Sequence, residues 1–353
     1  MNKILPPEML EAARLTKAGQ LKEATAVLQR LLNGHAAPAP DTGEAAGILS
    51  RAGDWLKRHL PGEPPPAPDV GPSQAGQFLD KSFTNAFGTR SYKLYVPHGY
   101  RGQKVPLIVM LHGCTQSPDD FAAGTGMNAA ADGAVCLVAY PGQTRKANMQ
   151  KCWNWFKPAD QQRDAGEPSL IAGITREIMR DYAVDPRRVY IAGLSAGGAA
   201  ASVMGNTYPD LYAAVGVHSG LACGAARDMK SALAAMQHGS AGAPATRHVP
   251  VIVFHGDRDT TVNPRNGDAV AAQAARGVSL RTHTREGQDP GGYRYTRTVT
   301  TDAGGHAAIE QWTVHGAGHA WSGGHPAGSF TDPKGPDATK EMLRFFLEHP
   351  RRA

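Results

Sequence analysis

From about residue 90 the chain alternates short apolar runs with polar, glycine-bearing breaks. The runs are Arg90 to Pro97, Val105 to His112, Val135 to Tyr140, Val189 to Gly193, Ala213 to His218, Val251 to His255 and Ile309 to Val314. Most are short, β-branched and continuous in apolar character. A strand with one face in water would alternate apolar and polar residues, whereas a continuous run is expected where both faces are covered. Helical spacing falls between the runs, for example at Leu170 to Tyr182 and Ala338 to Glu348. The pattern predicts an α/β fold with a doubly wound, mainly parallel sheet.

The first fifth reads differently. Leu21, Ala24, Leu28, Leu31 and Leu32 recur at helical spacing, and Gly19 interrupts the series, which predicts a small helical hairpin over residues 1–35. Residues 36–76 turn to Ala, Gly and Pro, including Pro61 to Pro66, and predict an extended linker with a short helix near Ile48 to Leu60. The remaining unit, 77–353, carries the alternating pattern.

Composition narrows the function classes. With 353 residues, 41% hydrophobic, the chain can bury a large core. Its net charge of +6 is spread over scattered basic residues with no basic stripe interleaved with aromatics, so a nucleic-acid partner is not expected. No apolar run approaches the roughly 18 residues that mark a membrane span, and Glu8, Glu11, Arg14 and Lys17 break up the start, where a signal peptide would need an apolar core. The expected location is therefore cytoplasmic, with an extracellular one as the alternative. Cys114, Cys136, Cys152 and Cys223 lack metal-ligand spacing and leave two readings open: buried free thiols, or a bridge from Cys114 to Cys152.

The chemistry is concentrated after three of the apolar runs. Val189 to Ala192 leads into Gly193-Leu194-Ser195-Ala196-Gly197-Gly198, followed by small residues able to begin a helix. This strand, turn and helix is the context in which a Gly-x-Ser-x-Gly serine sits in a strained elbow, the glycines removing side chains that would collide with neighbouring backbone. A serine hydroxyl needs a base, and the base needs an orienting carboxylate. Downstream, Val251 to Phe254 runs into His255-Gly256-Asp257-Arg258-Asp259. The last apolar run leads into His315-Gly316-Ala317-Gly318-His319. Asp259 and His319 are the expected partners of Ser195, with Asp257 bracing its turn and His315 structural. The backbone N–H groups of Ala196 and of Cys114, in His112-Gly113-Cys114-Thr115, are the expected oxyanion donors.

These residues, with Tyr140-Pro141-Gly142-Gln143, Cys152-Trp153-Asn154-Trp155-Phe156 and Gly318-His319-Ala320-Trp321, make the chain resemble the polyhydroxybutyrate depolymerase family of esterases, related to feruloyl and acetylxylan esterases. The likeness covers roughly Phe83 to the last helix. It implies an α/β-hydrolase that cleaves short hydroxyalkanoate esters through an acyl-serine, with Ser195, Asp259 and His319 on the triad positions and no metal or organic cofactor. Trp153, Trp155 and Trp321 are implied to contact the ester substrate, although aromatic core packing accounts equally well for the pair Trp153 and Trp155. Soluble oligomers, amorphous polyester and small acyl esters are the expected substrates. The alternatives are a feruloyl or acetylxylan esterase with the same triad and, from another class, a non-catalytic protein of the same fold that docks partners through its N-terminal helices.

Overall fold

The computed structural model describes residues 76–244, 248–275, 281–290, 292–302, 304–305 and 307–351. The hairpin expected at 1–35 and, except for Gly76, the linker expected at 36–76 lie outside the described residues. From Gly76 onward the chain builds a ten-stranded sheet flanked by helices on both faces.

In chain order the strands are β1 (Gln77–Asn85), β2 (Gly88–Val96), β3 (Val105–Leu111), β4 (Leu137–Pro141), β5 (Val184–Leu194), β6 (Ala214–His218), β7 (Val251–Gly256), β8 (Arg281–Gln288), β9 (Arg294–Thr301) and β10 (Ala307–Val314). Their order across the sheet is β1-β2-β4-β3-β5-β6-β7-β10-β9-β8. The six central strands, β4-β3-β5-β6-β7-β10, pair in parallel. An antiparallel pair closes each side: β1 and β2 on one, β9 and β8 on the other. A two-stranded ladder, β11 (Trp321–Ser322) with β12 (Thr331–Asp332), follows the last strand of the large sheet.

Seven α-helices are found among the described residues: α1 (Pro118–Thr125), α2 (Met127–Ala134), α3 (Gly166–Asp181), α4 (Ala196–Thr207), α5 (Met229–His238), α6 (Arg265–Ala275) and α7 (Ala338–Glu348). None is long and apolar enough to cross a membrane.

The continuous apolar runs are explained by two cores, since successive side chains of a strand point to opposite faces. Leu107, Val109 and Leu111 of β3, with Val189 and Ile191 of β5, pack with Ile171 and Ile174 of α3 and Met204 of α4. The alternate residues Ile108, Met110, Tyr190 and Ala192 pack with Phe121, Met127, Phe345 and Phe346 from α1, α2 and α7. All seven residues of β3 are buried. On the second face Tyr190 stacks on Phe346 at 5.0 Å and Phe254 on Trp312 at 5.1 Å. Burying each such side chain stabilises the fold by about 1.5–3 kcal/mol. Beside Trp312, the buried Glu310 carboxylate accepts from Arg297, Arg344 and the Trp312 indole at 2.9, 2.6 and 2.8 Å, which ties α7 and β9 to β10.

The short ladder of β11 and β12 was not expected from the sequence, nor were three strands of the large sheet, β1, β8 and β9. Their sequences are mostly polar, and β8 and β9 are held partly by facing threonines, Thr282 with Thr300 and Thr284 with Thr298. An edge ladder with little buried surface leaves no apolar run to read. The expected strand at Val135 begins instead at Leu137, because Val135 takes a left-handed conformation (φ 52°) that caps α2.

Candidate active site

The loops at the carboxyl ends of β3, β5, β7 and β10 carry the candidate residues, where ligands bind in open parallel sheets. Ser195 lies between β5 and α4 with φ 58° and ψ −120°. An L-residue adopts that conformation only when its surroundings enforce it. Here the enforcement is close backbone contact. A methyl group at Gly197 would fall 2.0 Å from the Leu111 carbonyl oxygen, and one at Gly193 would fall 2.3 Å from the Gly197 carbonyl. Both positions require glycine, so α4 can start directly against the end of β3. The Ser195 N–H donates to the His218 carbonyl at 2.9 Å, which fixes the elbow to the end of β6.

Each of the two acidic residues after β7 takes one histidine of the loop after β10. The Asp259 Oδ2 accepts from His319 Nδ1 at 2.7 Å, and its Oδ1 accepts from the N–H groups of Thr261 and Val262 at 2.9 and 2.8 Å. His255 donates through Nε2 to the Val262 carbonyl at 2.8 Å and stands 3.4 Å from Asp259 Oδ2. Burial alone would raise the Asp259 pKa, but the hydrogen bonds from His255 and His319, with the charge of His319, hold it well below the usual carboxylate range. Asp259 therefore stays ionised and keeps the His319 proton on Nδ1, leaving Nε2 as the basic atom. Asp257 instead bonds His315 Nδ1 at 3.0 Å and the Gly316 N–H at 2.7 Å, and Thr296 bonds His315 Nε2 at 2.8 Å. This second pair braces the stem of the loop that ends in His319.

Two buried histidines that the sequence reading did not single out join these loops. His218 accepts the Ser322 N–H on Nε2 at 2.9 Å, and its ring stacks between Phe254 and Trp321. With Nε2 accepting, its proton sits on Nδ1, toward the Ser219 hydroxyl at 3.2 Å. The backbone carbonyl of the same residue holds Ser195, so His218 links the serine elbow to the segment just past His319. His112 accepts the Gln143 N–H on Nε2 at 3.0 Å, while its Nδ1 donates to the Gly113 carbonyl at 2.7 Å. Burial pushes His218 down to about 3, helped by the charges of His255 and His319, and pushes His112 down to about 4. A signal was present in the sequence: each histidine ends an apolar strand.

The Cys114 loop is pinned on both sides. The Gly113 N–H donates to the Gln116 carboxamide at 2.8 Å and the Thr115 N–H to the Gln150 carbonyl at 2.6 Å. The Cys114 N–H between them has no acceptor among the described residues. The Ala196 N–H opens α4, where the first N–H groups lack intrahelical partners. Cys114 and Cys152 form a disulfide, while Cys136 and Cys223 are free and buried, so each of the two cysteine readings holds for one pair. Behind the bridge, the buried Glu167 carboxylate accepts from the Asn154 N–H and side-chain amide at 2.7 and 2.6 Å and from Gln143. That network fixes the segment 143–156 to α3.

The three tryptophans expected to face substrate are all buried. Trp153, Trp155 and Trp321 are 0%, 6% and 1% exposed. Trp153 donates to the His112 carbonyl at 3.1 Å, and Trp321 donates to the Thr339 hydroxyl at 2.9 Å. An indole in the core satisfies its N–H there, so Trp153 and Trp321 support the loops from below and are corrected to framework, whereas Trp155, 6% exposed beside 9% for Ser195, packs its ring edge-on against Phe156 at 5.6 Å.

The doubly wound sheet and a strained serine between strand and helix define an α/β-hydrolase. The sequence comparison identifies which kind: residues 90–286 match the Esterase PHB depolymerase family, and the chain belongs to it. It is 31% identical over 250 residues to poly(3-hydroxyalkanoate) depolymerase C of Paucimonas lemoignei, covering 67% of this chain and 59% of the relative. It is 28% identical to poly(3-hydroxybutyrate) depolymerase of Ralstonia pickettii, covering 65% of this chain and 49% of the relative. The chain thus spans about half to three-fifths of the length of these two. A shorter match, 35% over 140 residues, joins 39% of this chain to 46% of feruloyl esterase B of Neurospora crassa. Among solved structures, the acetyl xylan esterase from Aspergillus awamori superposes with a TM-score of 0.59 at 20% identity, over 77% of this chain and all of that one, a likeness of fold.

The histidine environments make a stability prediction. Unfolded imidazoles gain a proton near pH 6.5, whereas His112 and His218 resist protonation down to about 4 and about 3. Each lowered value contributes stability that is present above about pH 6.5 and lost as the pH falls toward 4. Urea unfolding from pH 7 to 4 should reveal uptake of up to about two extra protons on unfolding, reduced in His218→Asn and His112→Asn. A profile identical in the wild type and both variants would contradict this account.

Proposed function

We propose that this protein is a serine esterase acting on short-chain hydroxyalkanoate esters and oligoesters through an acyl-serine intermediate. The observation that carries the reading is the arrangement of the Asp259–His319 hydrogen bond and the strained Ser195, joined through His218. Ser195 attacks the ester carbonyl as His319 takes its proton, and Asp259 holds the resulting imidazolium. The N–H groups of Ala196 and Cys114 stabilise the oxyanion. His319 then protonates the leaving alcohol, and water activated by the same ring releases the acid. The substrate class is supported by membership of the esterase family and by the two depolymerases among the relatives. The feruloyl esterase relative supports a second reading, with the same triad serving aromatic esters.

Turnover of hydroxybutyrate oligomers, feruloyl esters and acetylated xylan by wild type and Ser195→Ala tests both readings. Hydroxybutyrate oligomers should be preferred, and Ser195→Ala should lower kcat by about 10⁴-fold or more on every ester. A preference for feruloyl esters selects the second reading, and an active Ser195→Ala protein defeats both.

The Cys114–Cys152 bridge supports an oxidising compartment as the working location, the alternative to the cytoplasmic expectation. Thiol titration of the protein denatured without reductant should count two thiols. Four would remove this support.

A further inference from the structure

The loop that frames the Cys114 turn carries a charge pattern that ester hydrolysis itself does not require. Between Gln143 and Ala159 lie Arg145, Lys146, Lys151 and Lys157, with no Asp or Glu among them. None of the four forms an ion pair with a carboxylate among the described residues. The nearby acids of α1 are already engaged. Asp119 pairs with Lys93 at 3.3 Å, and Asp120 accepts from Gln116 and from the Ser329 N–H and hydroxyl at 2.9, 2.9 and 2.6 Å.

Lys151 is the member of this set held in place. It adopts φ 52°, left-handed for a non-glycine residue, and directly precedes the disulfide-bonded Cys152. Its N–H donates to the Asn148 carbonyl at 2.8 Å, and its half-buried ammonium donates to the Gln116 backbone carbonyl at 3.4 Å. Gln116 in turn holds the Gly113 N–H, and a methyl at Gly113 would lie 3.6 Å from the Ser195 Cβ. An ammonium has three N–H donors, and one carbonyl engages only one of them. A cation with unspent donors, linked through Gln116 to the Gly113 turn that faces Ser195, is suited to an anion brought by the substrate.

We propose that Lys151 binds the free carboxylate of an acid-terminated oligoester, and that Arg145, Lys146 and Lys157 draw such anions toward the cleft. This rests on the hydroxyalkanoate reading above and specifies its substrate. In a chain of hydroxyacid units the only ionised group is the terminal carboxylate, which always lies on the alcohol side of the scissile ester. Lys151 therefore holds the leaving portion. Ser195 forms its bond to the acyl carbon, the ester C–O bond breaks, His319 supplies the proton to the alkoxide, and the carboxylate remains ionised throughout. The exposed Met149 on the same loop offers an apolar contact to the methyl groups of the chain.

The test compares a hydroxybutyrate trimer with a free carboxylate against the same trimer ending in a carboxamide, which removes the charge without adding a cleavable ester. For wild type at low ionic strength, kcat/KM should favour the acid by about tenfold, equivalent to about 1.4 kcal/mol. The preference should shrink in about 1 M salt, where the screening length is about 3 Å. Lys151→Gln, which adds no backbone strain, should reduce the acid-to-carboxamide ratio below about twofold, and Lys151→Arg should retain most of it. Equal turnover of both trimers by wild type, or an unchanged ratio in Lys151→Gln, overturns the proposal and leaves the hydroxyalkanoate reading standing. Cleavage of p-nitrophenyl butyrate with neither trimer cleaved overturns that reading, and this proposal with it.

Discussion

The site depends on one close contact, the approach of the backbone at Gly197 to the Leu111 carbonyl. Without room for a Cβ at Gly193 or Gly197, α4 meets the end of β3, and the residue between β5 and α4 has nowhere to go but the strained conformation of Ser195. Strain of this kind costs of order 1–3 kcal/mol and persists only where the surroundings over-determine it. The surroundings here are the buried strand β3, the His218 carbonyl and two apolar cores packed on opposite faces of the sheet. The stability of the large sheet is thus what holds a single serine in an unfavourable backbone state.

The remaining groups are held by buried polar contacts between loops. His218 joins the serine elbow to the segment after His319, Asp259 joins that histidine to β7, and His112 joins the Cys114 turn to the segment beginning at Gln143. Each works because it is neutral, or ionised, in the state its partners require. A proton added to His218 Nε2 would face the Ser322 N–H and break that link. Burial, which makes the added charge costly, keeps the link intact. The cationic loop from Arg145 to Lys157 is the exception among these connections, because none of its four charges is matched by a carboxylate in direct contact among the described residues.

What could be read from the sequence follows from what each feature depends on. The central strands were legible because burial on both faces leaves continuous apolar runs, and Ser195, Asp259 and His319 because the elbow and the two loops directly follow such runs. The edge strands β1 and β8, and β9 beside β8, were not, since their ladders are built from backbone bonds and Thr pairs that leave no hydrophobic signature. Trp153 and Trp321 illustrate a different limit. Their proximity to the site in sequence was readable, but whether a ring faces inward or outward depends on long-range partners, His112 for one and Thr339 for another. The roles of His218 and His112 depend likewise on residues far away in the chain, although both stand at strand ends.

The central claim is that Ser195 becomes acylated during turnover. Rapid acid quenching during turnover of p-nitrophenyl 3-hydroxybutyrate, followed by peptide mass spectrometry, tests it most directly. The account predicts one acyl group per chain on the peptide containing Ser195, accumulating further in a variant with slowed deacylation. Turnover with no acyl adduct, or an adduct on a different residue, would contradict it.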